Sequence, residues 1–79
     1  SQDDVRNKIS ELTDEDQNLD LNAWLEHDPA EILFNIGVPS LQEYIVFLYP
    51  GLGLAVFESF VPGNGTMRFR YTEFEKLLN

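Results

Sequence analysis

Residues 40–51 read Ser40-Leu41-Gln42-Glu43-Tyr44-Ile45-Val46-Phe47-Leu48-Tyr49-Pro50-Gly51, and two local signals compete in them. Ser40 and Glu43 have the spacing of a capping box, in which a serine hydroxyl and a glutamate three residues on satisfy the free amides of a helix start. Pro50-Gly51 closes whatever that box opens. Against this, Tyr44-Ile45-Val46-Phe47 is rich in aromatic and β-branched side chains, which fit a pleated surface. The cap and the length of the run favour a helix over 41–49. That choice makes the first two thirds of the chain helical.

Upstream, Asp28-Pro29-Ala30-Glu31 sets a capping acceptor, a proline at the first helical position and a glutamate at the third. With Gly37 as a stop, it predicts a helix near 29–36 with Ile32, Leu33 and Ile36 on one face. Leu21, Trp24 and Leu25 suggest a short helix over about 21–27. Val5, Ile9 and Leu12 fall at helical spacing and suggest another near 3–12, with Thr13–Leu19 as an acidic connector. Downstream of Gly53 the period changes to two. Leu54–Val61 reads as a strand, Pro62-Gly63-Asn64-Gly65 as a turn and Thr66–Tyr71 as the return strand. Met67, Phe69 and Tyr71 then share one face, and Arg68 and Arg70 the other. Thr72-Glu73-Phe74-Glu75 is a third capping box, opening a C-terminal helix through Leu78. The expected fold is therefore α+β: three to four short helices packed against a C-terminal β-hairpin, winged-helix-like in outline, forming one domain over 1–79.

The 79 residues suffice for one domain. Chains of this size have narrow stability margins and often add disulfides or a metal. With no cysteine and a single histidine, His27, neither a disulfide framework nor a thiolate or histidine-rich metal site can form. The core must carry the fold, and no cofactor is expected. No run approaches the roughly 18 apolar residues of a membrane span, and the acidic start, Ser1-Gln2-Asp3-Asp4, is unlike a signal peptide. A soluble, cytoplasmic protein is expected.

Charge is unevenly spread. Residues 1–31 hold ten carboxylates against Arg6 and Lys8, a balance of −8, whereas residues 32–79 hold four against Arg68, Arg70 and Lys76, a balance of −1. Such a field repels nucleic acid and membranes and steers basic partners inward. Direct nucleic-acid binding and membrane association are not expected.

Several motifs invite a sharper reading. In Asp14-Glu15-Asp16-Gln17-Asn18-Leu19-Asp20-Leu21-Asn22, oxygen-bearing residues alternate as a hard cation requires. The run resembles part of a calcium-binding helix-loop-helix. It departs from that pattern at Leu19, where the turn needs glycine, and at Leu25, where the loop needs a bidentate glutamate. A solvated connector with Asp20 capping a helix is the plainer reading, and no metal site is assigned. Residues 28–49 resemble a helix-turn-helix in outline, but the second helix would offer no lysine or arginine to DNA. A core helical pair used for protein binding fits better. Arg68 and Arg70 could anchor an acidic partner, yet cross-strand pairing explains them more simply. Asn64-Gly65-Thr66 matches a glycosylation acceptor, but Asn64-Gly65 is better explained as turn chemistry.

Catalytic constellations are missing from the sequence. No Cys–His pair can exist. Glu26-His27-Asp28 are chain neighbours that point apart in a helix, and Gly51-Leu52-Gly53 lacks the length and lysine of a phosphate loop. A non-enzymatic function is expected: a protein-interaction module or small inhibitor presenting an acidic surface to a basic partner. That partner could be nucleic-acid-binding, with the carboxylates acting as a charge mimic. Asp14, Glu15, Asp16, Asp20 and Glu26 would steer the partner. Phe57 and Phe60, on opposite faces of the 54–61 strand, would supply apolar contact. The alternatives are a self-associating subunit that dimerises through its apolar hairpin and a degenerate calcium-binding module.

Overall fold

A computed structural model describes residues 20–78. Within them the chain forms a four-stranded antiparallel meander: β1 (Glu31–Phe34), β2 (Tyr44–Tyr49), β3 (Leu54–Ser59) and β4 (Thr66–Arg70), adjacent in that order. An α-helix, α1 (Tyr71–Glu75), follows directly and is the one α-helix among the described residues. Single 3-10 turns occupy Ala23–Glu26, Pro39–Leu41 and Pro50–Leu52.

The helical bundle expected from the capping signals, and with it the winged outline, is overturned. Residues 44–49 form a strand, as does the centre of 29–36, and 21–27 contains one 3-10 turn. The expected helix at 3–12 lies outside the described residues. The physical reason is clearest in β2. Ile45-Val46-Phe47-Leu48-Tyr49 is apolar without a break, so as a helix it would be apolar all round and need cover on every side. A chain this small has no such cover. A central strand, by contrast, needs cover on two faces only and accepts a continuous apolar run. The Ser40–Glu43 spacing yields only the turn at Pro39–Leu41, with no side-chain cap hydrogen bond. Once β2 is a strand, Ile32-Leu33-Phe34 completes a third pairing, with Leu33 opposite Val46.

The expected hairpin is present. Glu58 pairs with Thr66 and Leu54 with Arg70. Gly65, at φ 75°, accepts from the Ser59 N–H at 3.3 Å in the turn between them. That backbone region suits glycine, so the Asn64-Gly65 dipeptide is explained by the turn. Gly53, at φ 63°, reverses the chain between β2 and β3, and its carbonyl accepts the Tyr71 N–H at 2.8 Å. This bond ties the start of α1 to the far end of the hairpin. The α1 start lies one or two residues earlier than Thr72 predicts: Arg70 is the cap position, and the Glu73 carboxylate accepts the Arg70 N–H at 3.3 Å.

Strand alternation divides the side chains between two faces. On the first, the row Leu33, Val46, Phe57, Met67 crosses all four strands. Ile36, Val38 and Leu41 from the β1–β2 connection cover it, together with Tyr71 and Phe74 of α1 and Leu78 just beyond. Phe57 lies at its centre, 5.2 Å from the ring centroids of both Phe69 and Phe74 and 6.3 Å from Tyr44, in edge-on contacts. On the second face, Leu21, Trp24 and Leu52 pack on Tyr49, Leu54 and Val56. Among the described residues that cover is incomplete, and the part they leave uncovered is the candidate site.

Candidate interaction surface

The row Ile32, Phe47, Val56, Arg68 crosses the second face, and the row Phe34, Ile45, Glu58, Thr66 lies beside it. Residues 20–27 roof only one part of these rows. Their position is set by two contacts: the Trp24 and Tyr49 ring centroids lie 6.3 Å apart, and the Arg68 guanidinium donates to Asn22 Oδ1. Beyond that roof Ile32 is 46% and Phe34 67% exposed; opposite them on β2, Phe47 and Ile45 are half-buried, Phe47 at the margin of the roofed cluster. The Phe60 N–H donates to the Glu43 carbonyl at 2.8 Å, one step past the Tyr44–Ser59 pair. This bond extends the β2–β3 ladder one residue beyond the strands, so Phe60, 58% exposed, and the exposed Glu43 lie side by side at the end of this face.

The residues expected to bind a partner are separated by this arrangement. Phe60 is at the surface. Phe57 is 0% exposed and belongs to the core, because the first face is covered by α1 and the 36–41 segment. Asp20 and Glu26 are exposed, while Asp14, Glu15 and Asp16 lie outside the described residues. The helical reading of 29–36, which puts Ile32 on one face with Leu33 and Ile36, and of 41–49 gives no sign that Ile32, Phe34 and Ile45 share a sheet face. The signal that could have found them is the alternation of Leu33 with Ile32 and Phe34, once 31–34 is taken as a strand.

Charges among the described residues sit at the surface. Among the described residues no charged side chain is buried, and Asp20, Glu26, Asp28, Glu43, Glu58, Glu73 and Glu75 are all exposed. Of the arginine stripe, the Arg68 side chain serves the fold by holding Asn22. Two of the alternating oxygen residues are likewise engaged within the chain: Asp20 Oδ1 accepts the Asn22 N–H at 3.0 Å, and Asn22 holds Arg68. Among the described residues no three His, Asp or Glu side chains converge as metal ligands.

Two open grooves flank the sheet. One, of about 450 Å³, is lined among the described residues by Asn35, Gly37, Pro39 and Gln42, none of them titratable. The other, of about 270 Å³, runs along His27, Asp28, Ala30 and Tyr49 to Leu52. Tyr49 there has its pKa raised by burial first, and then by Asp28 and Glu58. Its phenol stays neutral at ordinary pH and offers no base.

Comparison with protein-family models, curated proteins and solved structures finds no match to this chain. Among the described residues no helix is long and apolar enough to cross a membrane.

Proposed function

We propose that the protein is a non-enzymatic interaction module that presents an acidic surface to a basic partner protein. The observation that supports this most is the exposure of the seven carboxylates Asp20, Glu26, Asp28, Glu43, Glu58, Glu73 and Glu75, on a chain of net charge −9. Carboxylates left in water keep their long-range field and steer oppositely charged surfaces. Affinity then comes from apolar contact, for which the exposed aromatics are the material. Occupation of a nucleic-acid-binding groove by carboxylates in place of phosphates is the narrower form of the same reading. A cytoplasmic setting belongs to the proposal and is supported by the cysteine-free composition.

The test is capture of host proteins on the immobilised chain, with elution at rising salt. Fields between exposed charges screen over about 10 Å at 0.1 M salt, so a basic protein should elute early in the gradient. It should be retained poorly by a variant carrying Asp14→Asn, Glu15→Gln, Asp16→Asn and Asp20→Asn. Equal retention by that variant would overturn the proposal.

A further inference from the structure

Resting on that reading, we infer that the uncovered half of the second sheet face is where the partner docks, and that the docking element is an amphipathic helix carrying lysine or arginine beside its apolar stripe. The face offers Ile32 and Phe34 from β1, Ile45 and Phe47 from β2, and Phe60 just past β3. The charged side chains set among these residues are Glu43 and Glu58, both exposed. The cations of the same face, Arg68 and Arg70, both stand on β4 at the roofed side, Arg68 held by Asn22 and Arg70 opposite the roofed Leu54. An apolar patch bearing two carboxylates complements an apolar stripe bearing cations.

The same charges argue against other occupants. A second copy packing by two-fold symmetry would bring this patch against itself, setting Glu43 and Glu58 near their own counterparts. Residues 1–19 hold six carboxylates against Arg6 and Lys8, so the chain's own N-terminal segment would also add negative charge to the patch. Dimensions suit a helix. Three strands about 4.8 Å apart span roughly 10 Å, close to the 10–12 Å diameter of a helix with its side chains. The roof formed by residues 20–27 already occupies the neighbouring part of this layer.

The experiment is an amide NMR titration of the full chain with a synthetic helix of about five turns, leucines on one side and lysines on the other. Controls are a peptide of scrambled order and one with glutamates in place of lysines. Shifts are expected at Ile32–Phe34, Ile45, Phe47, Glu58 and Phe60. Phe34→Ser should weaken binding about tenfold or more. Glu43→Gln with Glu58→Gln should weaken it about threefold at low salt and flatten its salt dependence. Salt-sensitive binding with shifts confined to residues 20–28, unchanged by Phe34→Ser, would overturn the docking face and leave the acidic reading intact. Equal binding of the lysine and glutamate peptides would remove both. Contacts from Val5, Ile9 or Leu12 to Phe34 in the free chain, or dilution-dependent shifts of the face amides, would replace the partner helix by the chain's own segment or by a second copy.

Discussion

Arg68, at the middle of β4, donates from its guanidinium to the side-chain carbonyl of Asn22, 46 residues earlier in the chain. That bond crosses from an edge strand to the segment roofing the second face. It holds Trp24 over Tyr49 and so sets the limit of the exposed patch. Asn22→Ala should therefore loosen the roof without unfolding the sheet. Exposed charged contacts contribute about 1 kcal/mol or less, so global stability should barely change. Trp24 emission should shift to the red, and an Arg68→Ala variant should show the same shift, with no further change in the double variant.

The two phenylalanines assigned to binding from sequence should behave oppositely. Phe57 is enclosed by Tyr44, Phe69 and Phe74, and Phe57→Ala should cost about 3–5 kcal/mol in denaturant unfolding. Phe60→Ser should change stability by about 0.5 kcal/mol or less, as surface changes do. If the two variants cost the same, the assignment of the two faces is wrong.

Tyr71 is 0% exposed, and its hydroxyl has no hydrogen-bond partner among the described residues. An unpaired buried hydroxyl costs about 1–3 kcal/mol of desolvation. Tyr71→Phe removes it while keeping the ring against the first-face core. The variant should be as stable as the parent or up to about 1 kcal/mol more stable, read from its unfolding midpoint. A clear loss of stability would mean that the hydroxyl is bonded.

Alkaline pH should unfold the protein through its tyrosines. Burial raises the pKa of Tyr71, and burial with Asp28 and Glu58 raises that of Tyr49. Between the unfolded value of 10.0 and the folded values, the native state holds more protons than the unfolded one. Stability is then complete below about pH 10 and falls as pH rises above it. The Tyr71→Phe and Tyr49→Phe variants should each lose stability less steeply above that point in a pH series of thermal melts.

Much of the local structure was legible in the residues alone. Period-two alternation from Leu54, the Asn64-Gly65 turn and the return strand through Arg70 are short-range features, written in neighbouring residues, and β3 and β4 form there. Composition likewise determined that the chain must hold together without disulfides and that its surface is acidic. Only the tertiary structure decided the state of 31–34 and 44–49. Their caps act over one turn and are each worth about 1 kcal/mol, whereas burying both faces of β2 engages side chains from residues 21 to 78, and a term summed over that many contacts outweighs a cap. The tertiary structure also decided which apolar residues stay in water. Phe34 and Phe57 are alike as side chains, and Phe57 is enclosed because α1 and the 36–41 segment lie over its face, while the roof of residues 20–27 stops short of Phe34.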